Sequence, residues 1–174
     1  MGALLLLQGG TFPSASFASE PEIVIERYPG GQVHTRVEVD RRGRPHGWSR
    51  EYTETGVLMA EHQYDHGFRH GASRLYYPTG ELMTEWSNQD GQRQGPSIGY
   101  FKNGSLKDKG VYRDDKLEGP VLMYYPSGAL KSRMNFEDNR PEGQATVYDE
   151  KGQVEFVYQY RKGRVIHRED HRPK

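Results

Sequence analysis

The stretch YYPTGEL at residues 76–82 indicates an internal repeat, because it recurs almost unchanged as YYPSGAL at residues 124–130. Halfway between the two, residues 100–106 read YFKNGSL, and the same frame occurs as YTETGVL at 52–58 and as YDEKGQV at 148–154. The first Tyr of the frame and its Gly therefore both recur every 24 residues. A strict period of this length indicates a repeat architecture.

Each repeat unit also opens on a glycine with the same spacing. These glycines are Gly47, Gly71, Gly95, Gly119 and Gly143. A sixth, imperfect unit precedes them at residues 27–33, RYPGGQV, and rejoins the register at Gly43 after one extra residue. The pattern predicts a single repeat domain over residues 22–166, made of about six units.

The composition suits an extended repeat better than a globule with a thick core. Lys and Arg together number 24, as do Asp and Glu, and the hydrophobic share is only 33%. A net charge of zero argues against general electrostatic binding to nucleic acid, so no nucleic-acid partner is expected. The 12 Tyr argue against disorder. The absence of Cys excludes disulfides, thiolate metal sites and Cys catalysis.

Two turns are predicted in each unit, and both point to residues with positive φ. The first turn ends in a Gly in every unit, as in PTG and KNG: Gly56, Gly80, Gly104, Gly128 and Gly152. The central position of the second turn falls at Gly43, Gly67, Gly91, Asp115, Asn139 and Gly163. Asp and Asn are the non-Gly residues that best tolerate left-handed φ. This position is therefore predicted to have positive φ in every unit, as tight hairpins require.

Between the turns, apolar and polar residues alternate. In the second strand of each unit, the even-numbered positions hold mostly apolar residues, such as Leu82, Trp86 and Leu106. The odd-numbered positions hold polar residues, such as Glu61 and Glu85. A period of two with one apolar side predicts half-buried antiparallel strands. The predicted fold class is all-β, an elongated single-layer antiparallel sheet of tandem β-hairpins. A β-solenoid is the alternative architecture, and a propeller suits this unit length less well.

The segments outside the repeats are predicted separately. Residues 1–21 contain a short Leu run and then small residues, with Ser16-Phe17-Ala18 resembling a small-x-small cleavage site. These features favour a secretory leader over a disordered tail, and hence a secreted or periplasmic protein over a cytoplasmic one. Residues 167–174, HREDHRPK, are predicted to be a charged, frayed tail.

The recurring Tyr and the two Trp are the candidate binding residues. This aromatic ladder consists of Tyr52, Tyr76, Tyr100, Tyr124, Tyr148, Trp48 and Trp86. In the structural interpretation, which carries more weight, stacked Tyr rings form the thin core. In the functional one, the ladder is an exposed binding face, since Tyr and Trp are favoured at interfaces. Both roles are compatible in a single-layer sheet.

Patterns for catalysis and metal binding are weak. His62, His66 and His70 are spaced by four and would share one face of a helix. Here they fall in a strand, a turn and a unit joint, so their side chains are expected to diverge and no metal site is expected. The sequence contains neither a nucleophile elbow nor a phosphate-binding loop. We therefore assign no catalytic residue and no cofactor, and do not expect an enzyme.

The frame Y-(Y)-x-x-G-x-L…E…Y-x-x-G-x-x-x-G resembles the MORN repeat over about residues 27–166, with RHG (69–71) and LEG (117–119) as unit joints. It is most similar to the variant in bacterial proteins labelled toxin–antitoxin system antitoxin, YwqK type. The resemblance implies a non-enzymatic scaffold for protein–protein interaction, with a toxin as a candidate partner. The alternative is a cell-envelope module that binds lipid headgroups or glycans. A further hypothesis is self-association through the open sheet edges.

Overall fold

The chain forms one open antiparallel sheet. A computed structural model describes residues 21–173, and its strands pair in chain order, except that β11 pairs only with β10. The strands are β1 (Glu22–Arg27), β2 (Val33–Val39), β3 (Pro45–Tyr52), β4 (Leu58–Asp65), β5 (Phe68–Tyr76), β6 (Leu82–Gln89), β7 (Gln92–Tyr100), β8 (Leu106–Arg113), β9 (Lys116–Tyr124), β10 (Leu130–Glu137), β11 (Arg140–Pro141), β12 (Gly143–Tyr148), β13 (Val154–Arg161) and β14 (Arg164–Asp170). The prediction of an all-β, elongated, single-layer sheet of tandem hairpins is confirmed.

The described range contains no helix, and therefore none that is long and apolar enough to cross a membrane. The leader-like segment predicted for residues 1–21 lies outside the described residues, apart from Pro21.

The first turn of each unit is a tight turn closed by a glycine. In the turn after β5, Gly80 donates its N–H to the Tyr77 carbonyl at 2.8 Å and has a φ of 99°. Gly43 has the same arrangement, with its N–H donated to the Asp40 carbonyl at 2.8 Å. The sequence pattern places Gly43 among the second turns, and that assignment is wrong. The extra residue in this unit converts the β2–β3 connection into a turn of the first kind.

The later second turns are two-residue hairpin turns in which both central residues have positive φ. The values are 47° and 96° for His66 and Gly67, and 50° and 64° for Asp114 and Asp115. Asn139 also has a φ of 64°, so the left-handed conformation predicted for the non-Gly positions is present. The sequence pattern singles out only the second central residue. A hairpin turn of this type requires positive φ at the first one as well.

Each of these hairpin turns is hydrogen-bonded to the unit joint that precedes its hairpin. Gly67 donates its N–H to the Pro45 carbonyl at 2.8 Å. The same bond recurs in the next units, from Gly91 to Arg69 at 2.8 Å and from Asp115 to Arg93 at 3.0 Å. Side chains about 20 residues apart are therefore brought together along one margin of the sheet.

The second Tyr of the YYP doublet distinguishes the two copies of the phrase, 48 residues apart, from the unit between them. Tyr77 donates its hydroxyl to the Tyr100 carbonyl at 2.9 Å, and Tyr125 bonds the Tyr148 carbonyl at the same distance. The intermediate unit has Phe101 at the equivalent position, which has no hydroxyl. The doublet thus marks alternate units in which a Tyr hydroxyl ties one unit to the backbone of the next.

The C-terminal charged segment extends the sheet. Residues 167–170 belong to β14, which pairs with β13, so the prediction of a frayed tail is wrong for them. The guanidinium carbon of Arg168 lies 4.5 Å from the centre of the Phe156 ring, and that of Arg172 lies 4.6 Å from it. Arginine stacked on an aromatic ring gives this polar segment a favourable packing surface.

The sheet has almost no interior. Among the residues that the structure describes, the buried hydrophobic side chains are Val39, Ala60 and Ala145, and the buried polar ones are Glu61, Ser73 and Asn88. Stability must come mainly from contacts between neighbouring hairpins, as in other repeat proteins.

Candidate binding surface

The recurring Tyr lie on one side of the sheet, which we call the tyrosine face. Residues that pair directly across neighbouring strands share a side, and the register pairs Arg50 with Glu61, Glu61 with Arg74, and Arg74 with Glu85. Strand alternation places Trp48 on the same side as Arg50. The tyrosines of this face, all half-buried, are Tyr52, Tyr76, Tyr100, Tyr124 and Tyr148.

Trp86 lies on the opposite face, so the predicted ladder does not form one surface. The register pairs Trp86 with Ser73 and Ser97, and its ring centre is 6.0 Å from that of His62. The ladder tyrosines are not stacked on one another either, because equivalent residues of successive units are two strands, or about 9.6 Å, apart. A thin core of stacked Tyr rings is therefore a wrong prediction.

Glu61 is the centre of an ion-pair row on the tyrosine face. It is only 7% exposed, and its carboxylate accepts hydrogen bonds from Tyr76 Oη at 2.8 Å, Arg74 Nη1 at 2.9 Å and Arg50 Nε at 3.3 Å. Burial raises the pKa of Glu61, but the hydrogen bonds from Tyr76, Arg74 and Arg50 outweigh it and hold the pKa below its usual value. The carboxylate is therefore charged near neutral pH.

The burial of Glu61 is not predicted from the sequence, where Glu61 is one of the alternating polar positions expected to face solvent. The phenol ring of Tyr76 and the flanking arginine side chains cover the carboxylate. In turn, burial and the hydrogen bond to Glu61 raise the pKa of Tyr76 to about 12. In the next unit, Glu85 accepts from Tyr100 Oη at 2.8 Å and lies 3.5 Å from Arg74 Nε.

After β6 the ion-pair row no longer alternates between Arg and Glu. Register continues it from Glu85 through Ile98, Lys109 and Leu122 to Arg133. Apolar residues thus replace the arginines of the earlier units, and cations replace the glutamates. The Lys109 ammonium lies 6.0 Å from the centre of the Tyr124 ring.

We call the exposed cations Lys107, Lys109, Lys131 and Arg133 the basic segment. Within residues 21–173, no carboxylate lies within 4.0 Å of any of the four charged groups. Next to it, the tyrosine face has an open polar depression lined by Arg133, Asn135, Gln144, Thr146 and Tyr148. This half of the face therefore presents positive charge and hydrogen-bonding groups to solvent.

The opposite face contains a buried polar network rather than a reactive site. Ser73 is 0% exposed; its hydroxyl lies 2.9 Å from His62 Nδ1 and accepts from Asn88 Nδ2 at 2.7 Å. Trp86 Nε1 donates to Asn88 Oδ1 at 3.1 Å. Burial, followed by the positive charge of Arg69, lowers the pKa of His62. A Ser hydroxyl with no exposed surface cannot meet a substrate, so these contacts serve the fold.

The three histidines spaced by four lie in different surroundings. His62 belongs to this network, and His70 Nδ1 lies 3.4 Å from Asp90 Oδ1. His66 instead meets His46, with ring centres 4.7 Å apart. The spacing by four therefore does not bring the three side chains together.

Comparison with known families supports the repeat assignment at two places. A family model described as the MORN repeat variant matches residues 69–87 and 117–138, which cover strand pairs β5–β6 and β9–β10. No curated protein matches the chain. Repeats of this all-β kind are typically non-enzymatic. Two stretches of the chain thus match the MORN repeat variant, a repeat that generally serves as a scaffold for binding proteins or lipids.

Proposed function

We propose that the protein is a non-enzymatic scaffold that binds a protein partner across the C-terminal half of its tyrosine face. The proposal rests on the positive charges of the basic segment, which are unpaired in the described part of the chain. Lys109 and Arg133 each pair directly with Leu122, and none of the four cations has a carboxylate partner within residues 21–173. A partner segment that combines apolar and acidic side chains fits this surface.

The contrast between the two halves of the face supports this location. In β3–β6 the arginines and glutamates neutralise one another, with Arg74 between Glu61 and Glu85. In β7–β10 the same repeat positions carry Ile98, Lys109, Leu122 and Arg133. The strands β3–β6 and β7–β10 nevertheless keep the same consecutive antiparallel pairing.

The mixture of residue types favours a protein over a small ligand. Protein interfaces combine aromatic and apolar anchors at their centre with a polar rim, and the basic segment flanks half-buried Leu122 and Tyr124 in this way. Charge complementarity would steer an acidic partner toward the surface and set its orientation. A toxin is one protein of this kind, and a toxin-like neighbouring reading frame would favour the antitoxin form of the proposal.

Affinity capture with charge-reversed bait tests the proposal. Wild-type protein and a Lys109→Glu/Arg133→Glu variant would each be incubated with native lysate at physiological salt, and any captured protein would be purified and titrated directly. The matched control is Arg41→Glu/Lys151→Glu, which makes the same change in charge at exposed turn residues. We expect one partner to bind the wild type and the control but not the double variant. The proposal is contradicted if no partner is captured, or if Lys109→Glu/Arg133→Glu binds the partner as well as Arg41→Glu/Lys151→Glu does.

The same cations favour one alternative, a surface for anionic lipid headgroups or acidic glycans. Co-sedimentation with vesicles that contain anionic lipid, with neutral vesicles and with an acidic polysaccharide would separate this alternative from protein binding. Binding to an anionic surface that is lost in Lys109→Glu/Arg133→Glu, together with failure of protein capture, would replace the protein partner by such a surface.

A further inference from the structure

Two histidines and an aspartate converge where the β4–β5 turn meets the start of β3. His46 Nδ1 lies 3.1 Å from Asp65 Oδ1, and His66 Nδ1 lies 2.5 Å from the same oxygen. One ligand atom from each residue lies within 4.8 Å of the other two. The side chains are about half exposed, at 48% for His46, 52% for Asp65 and 57% for His66, so an ion from solution can reach them.

The backbone fixes this convergence. The hydrogen bond from the Gly67 N–H to the Pro45 carbonyl, at 2.8 Å, joins the turn directly to the residue before His46. The turn itself is the rigid two-residue type, with φ values of 47° at His66 and 96° at Gly67. All three side chains therefore project from backbone that is hydrogen-bonded together, rather than from separate mobile loops.

The repeat supplies an internal comparison for this site. In the next unit the positions of His46, Asp65 and His66 are occupied by His70, Gln89 and Asp90, which offer one imidazole and one carboxylate. In the later units, the joint side chain accepts a hydrogen bond from a turn N–H. Gln94 accepts from Asp114 at 2.8 Å, Glu118 from Asp138 at 3.0 Å and Glu142 from Lys162 at 2.6 Å.

We propose that His46, Asp65 and His66 bind a divalent transition-metal ion of the zinc class. Two imidazole nitrogens and one carboxylate oxygen form a donor set that suits zinc, whereas magnesium and calcium prefer oxygen ligands alone. With metal–donor bonds of about 2.0–2.2 Å, tetrahedral ligand atoms lie about 3.3–3.6 Å apart. The two His–Asp distances here are 3.1 and 2.5 Å, and all three ligand atoms lie within 4.8 Å of one another, so small side-chain rotations would bring them to this spacing. Three protein ligands leave one position for water or for a side chain of a partner.

Zinc titration by calorimetry tests the site in the full chain. His167 and His171 each contact Glu169, at 3.1 and 3.2 Å, so the titrations use a His167→Ala/His171→Ala background that removes these two imidazoles as competing ligands. In that background we expect one zinc ion per chain. Adding His46→Ala should weaken binding at least about tenfold, since loss of even an outer-shell partner of a metal ligand costs 10–100-fold. Adding His70→Ala should change the affinity less than about twofold, because it removes the equivalent residue of the next unit.

Thermal unfolding supplies a second readout and shows whether the variants fold. Without metal, the His46→Ala and His70→Ala variants should melt as their background does, since both side chains are exposed. Zinc should raise the Tm of the background and of His70→Ala by similar amounts and that of His46→Ala by less, because an ion that binds only the folded site stabilises it in proportion to its affinity. Magnesium should have no effect. Absence of zinc binding in the background, or equal losses in His46→Ala and His70→Ala, would overturn the proposal.

Discussion

Glu61→Gln tests how the tyrosine face is held together. The substitution keeps the size of the side chain but removes the charge that accepts from Tyr76 at 2.8 Å, Arg74 at 2.9 Å and Arg50 at 3.3 Å. A hydrogen bond to a charged group contributes about 1.5–3 kcal/mol, and loss of one member of a fully buried ion pair costs about 3–5 kcal/mol. The arginine side chains are 25% and 35% exposed and keep some hydration. We therefore expect the free energy of unfolding to fall by about 2 kcal/mol.

Glu85→Gln is the matched control, because Glu85 occupies the same position in the next unit. Its side chain is 33% exposed, and its closest arginine contact is 3.5 Å. We expect this variant to lose less than about 1 kcal/mol in urea unfolding at neutral pH. Equal losses in the two variants, or a loss at Glu61 below about 0.5 kcal/mol, would refute the assigned role of the buried carboxylate.

The pH dependence of the free energy of unfolding, compared between wild type and Glu61→Gln, gives an independent check. The folded-state pKa of Glu61 is below its ordinary value of 4.5, so its stabilising contribution is present above pH 4.5 and is lost as the pH falls through the folded pKa. The stability difference between wild type and Glu61→Gln should be constant from neutral pH to about pH 5 and should shrink below that. A difference that does not change between neutral pH and pH 3 would contradict the charge-based explanation.

The remaining predictions concern the hydrogen bond of the Tyr77 hydroxyl, a hairpin turn and the molecular shape. Tyr77→Phe removes the 2.9 Å hydrogen bond to the Tyr100 carbonyl and should lower the free energy of unfolding by about 0.5–1.5 kcal/mol in urea titrations; an unchanged value would contradict a stabilising role for this bond. Asn139 has a φ of 64° and accepts from the Leu117 N–H at 2.7 Å, so Asn139→Ala should cost about 1–2 kcal/mol and Asn139→Gly less; the reverse order would contradict the turn assignment. Small-angle scattering should give a radius of gyration clearly above the roughly 16 Å of a globule of this length, and a value near 16 Å would contradict an elongated single-layer sheet.

The features that can be predicted from the sequence are local and recur in successive units. Asp115 and Asn139 occupy a position that is Gly in other units, so their positive φ follows from residue type alone. Alternation also gives the correct faces in β8 and β10, where half-buried and exposed residues alternate along the strand. Both signals depend on only a few neighbouring residues in the chain.

The features that sequence reasoning misses depend on cross-strand partners. Polarity alone places Glu61 in solvent, and its burial becomes visible only when Arg74 and Tyr76 are known to lie beside it. His46 and His66 are 20 residues apart, and only the bond between the turn and the joint brings them together. A comparison of the residues at each repeat position, unit by unit, is the sequence signal that points to both features.

Photo-crosslinking from each side of the sheet shows directly which face binds a protein partner. Lys109 and Met123 are exposed residues of adjacent strands on opposite sides of the sheet, because Lys109 pairs with Leu122 and Met123 pairs with Asp108. A photoreactive amino acid would be placed at each position in turn, and crosslinking would be carried out in native lysate at physiological salt. We expect a specific protein adduct from position 109 and none from position 123. Equal adducts from both positions, or an adduct from position 123 alone, would contradict binding at the tyrosine face.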